Sequence, residues 1–431
     1  MHDVPYSIKY QLEKWNGFKL TAGVNGVYEF ENNYPEPPSP YVGDYEIPNY
    51  HLFDLGGYGI VSKDWKKLTL SAGLRYDMRS IVGDPMYLLN YATYIQTVVP
   101  EGTQGAYQQF PAFNNTYTGY SGSLGASYQL PAGFYVKGNV GKSYRAPAIN
   151  ELTANELDPS NEFKQGNPNL KAEQGVEADA AFGNYSKDVG FEVDAFYNYI
   201  NNFITADRIP SATGGDSIEL GAPVYKYQAN SAIVEGITAY LHVHPQSAPW
   251  FRWDNGFTYI YTFMPGATDS TDHVEFTPAP RLTSSVRVTL PKAHGSSFAD
   301  TYFQFGVEHD WPQNNIYSAL WNELPSLAYT LLDASIGTNI INPQTKRVLF
   351  SVFISGTNLA NISYIDHTSR PQYFWAYNGY LNPTNFGAAA AIVTNRNEGI
   401  FNMGRNISFK VLIPFGGHQI SETEMQGMKQ Y

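Results

Sequence analysis

Strict alternation of apolar and polar residues is the feature of this sequence that most restricts its fold. Residues 68–76, 191–199 and 406–415 each place large apolar side chains at every second position and mostly polar side chains between them. A period of two is typical of β-strands, and helical periodicity is nearly absent. Charged residues such as Asp194 and Lys410 stand in mid-strand, where they fit a face that meets water better than the inner face of a sandwich. The pattern therefore predicts strands with one apolar and one wet face.

Composition narrows the choice of all-β architecture to two. Charged residues make up 15% of the 431-residue chain and aromatic residues another 15%, yet the mean hydropathy is −0.34. No segment approaches the about 18 apolar residues that indicate a membrane helix. Few charges and many aromatics fit a membrane β-barrel, in which lipid-facing and lumen-facing residues average out. A soluble, aromatic-rich β-protein has a similar composition and remains an alternative on these grounds.

The connections between the predicted strands alternate in length. Short ones lie at Asn16–Gly17, Lys63–Trp65, Pro131–Gly133, Lys187–Gly190, Pro245–Pro249, Pro291–Ser297 and Asn342–Lys346. Long ones cover roughly 31–48, 82–115, 145–172, 205–222, 265–278, 314–326 and 363–397. Tight periplasmic turns alternating with extended extracellular loops are the pattern of outer-membrane barrels. We therefore predict a transmembrane antiparallel β-barrel rather than a sandwich, located in the bacterial outer membrane and in contact with its lipid.

The alternation predicts about 15 strands over residues 1–415, the first at 6–15 and the last at 399–415. Single-chain bacterial barrels close with an even number of strands, so an odd count leaves an open edge. The N-terminus also lacks the basic and apolar regions of a signal peptide. We expect that the chain lacks its beginning, either as a fragment, a truncated gene product or one part of a split receptor.

Charge and cysteine content exclude several classes of function. The net charge of −12 argues against nucleic acid as a partner, since phosphate binding needs clustered Lys and Arg. The absence of Cys removes disulfides, Cys-ligated zinc and thiol catalysis. No H-E-x-x-H, G-x-S-x-G or P-loop motif occurs. We predict no catalytic residue, no cofactor and no metal site.

Three stretches of the sequence resemble the TonB-dependent receptor family. Residues 141–152, which contain Arg145 and Pro147, resemble the family's F-R-A-P…E-L. Residues 166–173 resemble G-N-P-x-L-K-P-E, with Ala172 in place of the usual Pro. Residues 356–364 resemble N-L-F-N-x-x-Y, and Gly404 and Arg405 belong to a later stretch similar to P-G-R-N. The residues that carry the resemblance and that we interpret as structural are Arg145, Pro147, Asn167, Pro168, Leu170, Glu173, Asn358, Leu359, Gly404 and Arg405.

The resemblance implies a barrel of about 22 strands with a plugged lumen. Aligned from the last strand, the predicted strands would be the eighth to the last, and about seven strands and the plug would be missing. Energy coupling to the TonB system would run through that missing plug region. The C-terminus departs from the family pattern, because Phe415 is followed by a polar tail, residues 416–431. We expect a flexible periplasmic extension there; a docking segment is the alternative.

The segment from Tyr364 to Arg396 is the richest candidate for ligand contact. Its candidate residues are Asp366, His367, Arg370, Tyr373, Phe374, Trp375 and Tyr377. Aromatic faces together with a cation bind planar, catechol-like or macrocyclic ligands by stacking and cation–π contact. Alternatively, these aromatics pack the loops together or form the interfacial girdle that every such barrel needs.

Other polar residues are weaker candidates. His242 and His244 lie on one face of a strand at a spacing that can bind a metal, but they precede a short turn and are read as an ordinary pair. Asp269, Asp272 and His273 are read as solvated loop charges. A third hypothesis is an outer-membrane enzyme, because the site of a membrane-barrel hydrolase could be imitated by Asp366, His367 and Ser369.

The sequence thus predicts an energy-coupled outer-membrane transporter for a scarce nutrient. The cargo implied by the resemblance is an iron–siderophore complex, a small molecule; vitamin B12, haem, zinc and oligosaccharide stay open. A passive porin or structural barrel is the alternative from a different class.

Overall fold

The computed structural model describes residues 2–15, 17–31, 47–92, 95–158, 162–212, 216–266, 272–291, 296–317, 323–369 and 401–414. Strands dominate this part of the chain, and the helical content is one α-helix, α1 at Ile149–Thr153, and one 3₁₀ turn at Pro131–Gly133. Within the described ranges, no helix has the length and apolar character needed to cross a membrane.

The strands follow one another along the chain as β1 to β21. They are His2–Trp15 (β1), Phe18–Glu31 (β2), Tyr50–Trp65 (β3), Leu68–Gly83 (β4), Met86–Ala92 (β5), Ile95–Val99 (β6), Tyr107–Phe110 (β7), Phe113–Gln129 (β8), Phe134–Arg145 (β9), Asn155–Asp158 (β10), Glu162–Gln165 (β11), Glu173–Tyr185 (β12), Val189–Arg208 (β13), Ile218–Glu219 (β14), Ala222–Val243 (β15), Phe251–Phe263 (β16), Arg281–Thr289 (β17), Phe298–Asp310 (β18), Tyr329–Ile341 (β19), Val348–Thr357 (β20) and Asn406–Leu412 (β21).

Fifteen of these strands form one continuous antiparallel wall. The wall strands are β1, β2, β3, β4, β8, β9, β12, β13, β15, β16, β17, β18, β19, β20 and β21, each paired with the next. The predicted number of strands is confirmed. Among the described residues, β1 pairs only with β2 and β21 only with β20, so the wall is not closed.

The two faces of the wall differ in chemistry because side chains alternate along each strand. One face, here called the apolar face, exposes large hydrophobic side chains; Leu74 is 66%, Leu124 68% and Phe409 67% exposed. The other, the polar face, carries ion pairs between neighbouring strands, such as Arg79 with Asp54 at 2.7 Å. An exposed apolar area of this extent is unusual on a protein surrounded by water.

All seven long connections leave the same end of the wall, called the long-loop end, and all seven short ones leave the opposite, short-turn end, as the sequence predicts. Several boundaries differ from the prediction; the first strand begins at His2 rather than at residue 6. The turn expected at Lys63–Trp65 lies instead at Lys66 and Lys67, where Lys66 adopts a positive φ of 39°. The last strand is shorter than predicted and begins only at Asn406, because the backbone of residues 402–405 bonds to a loop.

The long connections contain structure of their own. Strands β5, β6 and β7 form a separate three-stranded sheet with a core of Met86, Leu88 and Phe110. The connection after β9 holds α1 and the hairpin β10–β11, and β11 adds to β15 in parallel. A second core at the long-loop end joins wall residues to this connection; its buried members are Tyr50, Leu52, Ile81, Leu152, Leu170 and Ile204.

Candidate functional site

Arg145 joins the end of one wall strand to its neighbour at the long-loop end. Its Nε and Nη2 atoms donate to the two carboxylate oxygens of Glu173, both at 2.6 Å, and Nη1 donates to Glu151 at 3.0 Å. The same Glu173 accepts the backbone N–H of Ile204 at 2.8 Å. A bidentate pair of this kind between Arg and a carboxylate fixes the relative orientation of the two side chains and places their opposite charges together. The carbonyl of the nearby, fully buried Pro147 accepts from Arg79 at 3.2 Å.

The second motif closes the same loop onto the wall. The amide of Asn167 donates to the Tyr227 carbonyl at 3.1 Å, and its own oxygen accepts the N–H of Asn169 at 3.0 Å. The Pro168 carbonyl accepts from Asn115 at 2.8 Å, and the Leu170 side chain is buried in the second core. These contacts agree with the structural interpretation of the motif.

The third motif forms a tight turn after β20. Asn358, at φ 48°, exchanges two side-chain hydrogen bonds with the backbone of Ile362, each 2.8 Å long. The N–H of Leu359 donates to the Leu332 carbonyl at 2.7 Å. The N–H of Arg405 donates to the Asn361 side-chain oxygen at 3.0 Å, and a Cβ on Gly404 would stand 3.0 Å from that oxygen, so glycine permits the approach. The turn therefore holds the two ends of the last long connection together.

Asp366 stands at the base of that connection and is tied to the wall. Nη2 of Arg281 donates to its Oδ2 at 2.8 Å, and the Tyr329 hydroxyl donates to the same oxygen at 3.2 Å. Nε of Arg281 donates to the buried Asp310 at 2.7 Å. Thr368 supplies a backbone N–H to Oδ1 at 2.8 Å and its hydroxyl at 2.5 Å.

His367, the next residue, belongs to a different and buried group. Its Nε2 donates to Oε1 of Glu323 at 2.7 Å, and both side chains are nearly inaccessible, His367 at 2% and Glu323 at 0% exposure. Oε2 of Glu323 accepts the Tyr317 N–H at 3.0 Å, and the Tyr317 hydroxyl donates to Asp207 at 2.9 Å. Two long connections are thereby joined to the end of β13.

The surroundings of Asp366 favour its ionised form. Burial raises the pKa of Asp366, but the hydrogen bonds from Thr368 and the charge of Arg281 outweigh it, so its pKa lies below the usual range. Burial raises the pKa of the Tyr317 hydroxyl, and the adjacent Asp207 carboxylate raises it further. Tyr317 therefore remains a hydrogen-bond donor to Asp207 at all physiological pH values.

Acid should loosen the base of this connection. Because the folded-state pKa of Asp366 is depressed, its stabilising contribution is complete above the ordinary value of 3.8 and is lost as pH falls through the folded value. We expect hydrogen exchange at the Thr368 amide, corrected for its intrinsic rate, to accelerate as the pH falls below ~4. The Asp366→Asn variant serves as the control, because its exchange should lack this acid-dependent rise. An equal rise in that variant would contradict the assignment to Asp366.

Asp366 and His367 are adjacent in the chain, but the structure places their side chains in separate networks. The other predicted ligand residues, Arg370, Tyr373, Phe374, Trp375 and Tyr377, lie outside the described residues, as do Asp269, Phe415 and the tail 416–431. Their assignment stays a prediction. The sequence analysis did not select three residues of these networks, Arg281, Glu323 and Tyr317. Arg281 could have been noticed as a charge at the start of a strand, but no local pattern predicts that its partner is Asp366, 85 positions away.

The remaining polar candidates make local contacts. His242 donates to Asp254 at 2.9 Å near the short-turn end, and His273 donates to the Thr262 carbonyl at 2.6 Å, closing the connection after β16. In the part of the chain that the structure describes, no group of three or more His, Asp or Glu residues could hold a metal ion.

Comparisons with known proteins fit the wall. The family described as "TonB dependent receptor-like, beta-barrel" matches residues 2–359. No curated protein sequence matches the chain. Similar solved structures include the copper transporter OprC, with 14% identity and a TM-score of 0.68 over 96% of this chain and 57% of that one. The ferric-catecholate import receptor Fiu from E. coli K12 shares 13% identity, with a TM-score of 0.60 over 95% of this chain and 54% of its own.

A further structure, the ferric yersiniabactin uptake receptor FyuA from Yersinia pestis, shares 15% identity, with a TM-score of 0.58 over 96% of this chain and 54% of its own. At these identities the similarity concerns the fold alone. This chain spans little more than half the length of the three solved structures.

Proposed function

This chain belongs to the TonB-dependent receptor β-barrel family, and from that premise we propose that it forms wall strands of an energy-coupled outer-membrane transporter whose cargo is an iron–siderophore complex. The family is described as receptor-like, and a similar solved structure is a transporter, which supports transport rather than catalysis. The resemblance inferred from three motifs is thereby confirmed at the level of the family. The cargo, the energy coupling and the contact residues are the parts that we propose.

The apolar face supports outer-membrane lipid as a partner. Its exposed side chains recur on wall strands from β1, with Ile8 at 79% exposure, to β21, with Phe409 at 67%. In a barrel the outward face meets lipid and the polar face lines the lumen, with short turns in the periplasm and long loops outside. The long-loop end is then the side from which cargo arrives.

Cargo contact is proposed for the last long connection. Asp366 and His367 anchor its base in two networks of the wall and loops, which is the observation that carries the assignment. Because binding sites gain precision from rigid supports, an aromatic and cationic segment that starts at this base is well placed to hold a chelate. We propose that Arg370, Tyr373, Phe374, Trp375 and Tyr377 touch cargo, whereas Asp366 and His367 position them.

A small hydrophobic or catecholate chelate of iron suits such a set, since aromatic faces stack on planar rings and Arg attracts their anionic groups. Among the similar structures are an import receptor for ferric catecholates, an uptake receptor for ferric yersiniabactin and a transporter for copper. TonB is the proposed energy-transducing partner, reached through a plug region as in the family.

An uptake panel tests the cargo directly. The gene would be deleted from its native locus and restored, and uptake of ⁵⁵Fe-labelled siderophores, ⁶⁴Cu, haem and vitamin B12 would be compared in both strains. We expect uptake of at least one ferric siderophore to fall to the level of a strain that lacks TonB. If every ferric chelate still enters while another cargo is lost, the iron assignment is wrong. If the lost uptake does not need TonB, the chain serves a passive porin.

A further inference from the structure

One lysine stands among the hydrophobic side chains of the apolar face. Lys142 on β9 is two residues from Val140, which is 55% exposed on that face, and side chains two apart on a strand share a face. Its cross-strand partners are Gly122 on β8 and the exposed Val176 on β12. A lysine on the lipid-facing side of a barrel is costly at the middle of the bilayer and is tolerated near its borders. The level of Lys142 along the wall therefore decides what it can contact.

The apolar face changes from hydrophobic to polar at the level of Lys142. Between this level and the long-loop end, the face carries exposed polar side chains on three strands. They are Asn114, Thr116 and Thr118 on β8, Gln174 on β12 and Asn201 on β13. Towards the short-turn end the same strands carry hydrophobic side chains, among them Leu124 and Val193. Because the outward apolar band of a barrel spans the hydrocarbon layer, Lys142 lies at the level of the lipid headgroups.

A row of tyrosines marks the same level independently. Tyr76 on β4 and Tyr120 on β8 are cross-strand partners, and both are exposed on the apolar face. On the other side of Lys142, the exposed Tyr199 on β13 is the partner of Val176. Tyrosine favours the border of a bilayer, because its ring is apolar and its hydroxyl reaches water. Lys142 thus stands within the aromatic girdle of the long-loop end.

The ammonium group of Lys142 rests on one of these rings. Its Nζ lies 3.6 Å from the centroid of the Tyr120 ring. Within the described ranges, no carboxylate forms an ion pair with Lys142. Glu235, an acidic side chain of the same face, is on β15, which is separated from β9 by β12 and β13. An ammonium has three N–H donors, so those that point away from the ring can reach an external anion.

We propose that Lys142, held by Tyr120, binds the phosphate group of an outer-leaflet lipid whose acyl chains lie along the hydrophobic part of the apolar face. A cation at the border of a hydrophobic surface matches an amphiphile with an anionic headgroup, since acyl chains and charge are satisfied together. A neutral headgroup would leave the ammonium without a counter-charge. The inference rests on the proposed function, because it needs the apolar face to meet the outer membrane, but it does not depend on the cargo.

Lipid binding to the purified full chain in detergent micelles tests the proposal. Native mass spectrometry would follow titrations with lipid A, a phosphate-bearing lipid, and with its dephosphorylated form. We expect lipid A to bind more tightly than the dephosphorylated form, and Lys142→Ala to weaken lipid A binding by about 10-fold, as the loss of one charge-assisted hydrogen bond would. Lys142→Arg should retain most of the affinity, because it keeps the charge and the donors. Excess inorganic phosphate should not displace lipid A, because it has no acyl chains.

Lys63→Ala is the matched control. Lys63 also rests on an aromatic ring, 4.1 Å from the centroid of its cross-strand partner Phe18, but it lies near the short-turn end. Its replacement should leave the affinity for lipid A unchanged. Tyr120→Phe keeps the ring under the ammonium and should retain binding, whereas Tyr120→Leu should weaken binding although no charge is lost.

Two results would overturn the site: equal binding of the two forms of lipid A, or an equal loss in the Lys142 and Lys63 variants. Displacement of lipid A by inorganic phosphate would overturn the lipid as its occupant. Flotation with phosphatidylcholine vesicles separates these results from a failure of the proposed function. A chain that floats with the vesicles but ignores the phosphate refutes the site alone, whereas a chain that does not float refutes the membrane wall and the site together.

Discussion

Simultaneous replacement of Arg370, Tyr373 and Trp375 by alanine should weaken siderophore binding by roughly 100-fold. Each cation–π or ring-stacking contact contributes about 0.5–2 kcal/mol, and the three together about 3 kcal/mol, which corresponds to that factor. The effect is large because the three side chains are proposed to contact the cargo itself. Binding of a radiolabelled ferric siderophore to whole cells gives the apparent dissociation constant.

The matched control changes three polar residues of the same segment, Gln372, Asn378 and Asn382, to alanine. Both variants remove three side chains, yet only the first removes the rings and the cation. We expect the control to bind within a factor of about three of the unmodified chain, the usual scatter of such substitutions. Equal affinities in the two variants would show that these aromatics pack loops or form a girdle instead.

Glu323→Ala should locally destabilise the long-loop end by about 3 kcal/mol. The substitution leaves two buried donors without their acceptor, His367 Nε2 and the Tyr317 N–H, and each loss costs about 1–3 kcal/mol. Local opening at Tyr317 then becomes roughly 100-fold more frequent. Hydrogen exchange at the Tyr317 amide measures this directly.

Two further variants test whether the effect comes from the lost acceptor oxygens of Glu323 or from the loss of a negative charge in general. Glu323→Gln keeps an oxygen that can accept one of the two hydrogen bonds, so its exchange should lie between that of the alanine variant and that of the original chain. Glu219→Ala removes an exposed carboxylate from another long connection and should leave the Tyr317 amide unaffected. If all three variants exchange alike, the buried pair does not hold the connections together.

The wall was predictable because its signal is repeated in every strand. Alternation identifies a strand locally, and an apolar face opposite a polar one makes that alternation strict, so about fifteen strands could be counted without any knowledge of contacts. The alternating connection lengths then placed all long loops at one end. Boundaries were less certain where one residue decides them: Lys66 at positive φ, not Lys63, begins the turn before β4.

The candidate site resisted prediction for the opposite reason. Its contacts join residues far apart in the chain, such as Glu323 with His367 and Arg281 with Asp366, and no period connects them. Asp366 and His367 were selected as ligand residues because they are polar and stand next to an aromatic segment. In the structure Asp366 bonds to Arg281 and His367 to Glu323, and neither composition nor spacing predicts these partners.

The separate sheet β5–β6–β7 has a consequence for how the molecule opens. It has its own core of Met86, Leu88 and Phe110 and meets β10 through a reciprocal pair of hydrogen bonds between Gln109 and Asn155, 2.8 and 2.9 Å long. A unit with its own core can unfold while the wall stays intact. Substitutions inside it are then felt mainly within it, so the sequence of this sheet can vary without disturbing the wall.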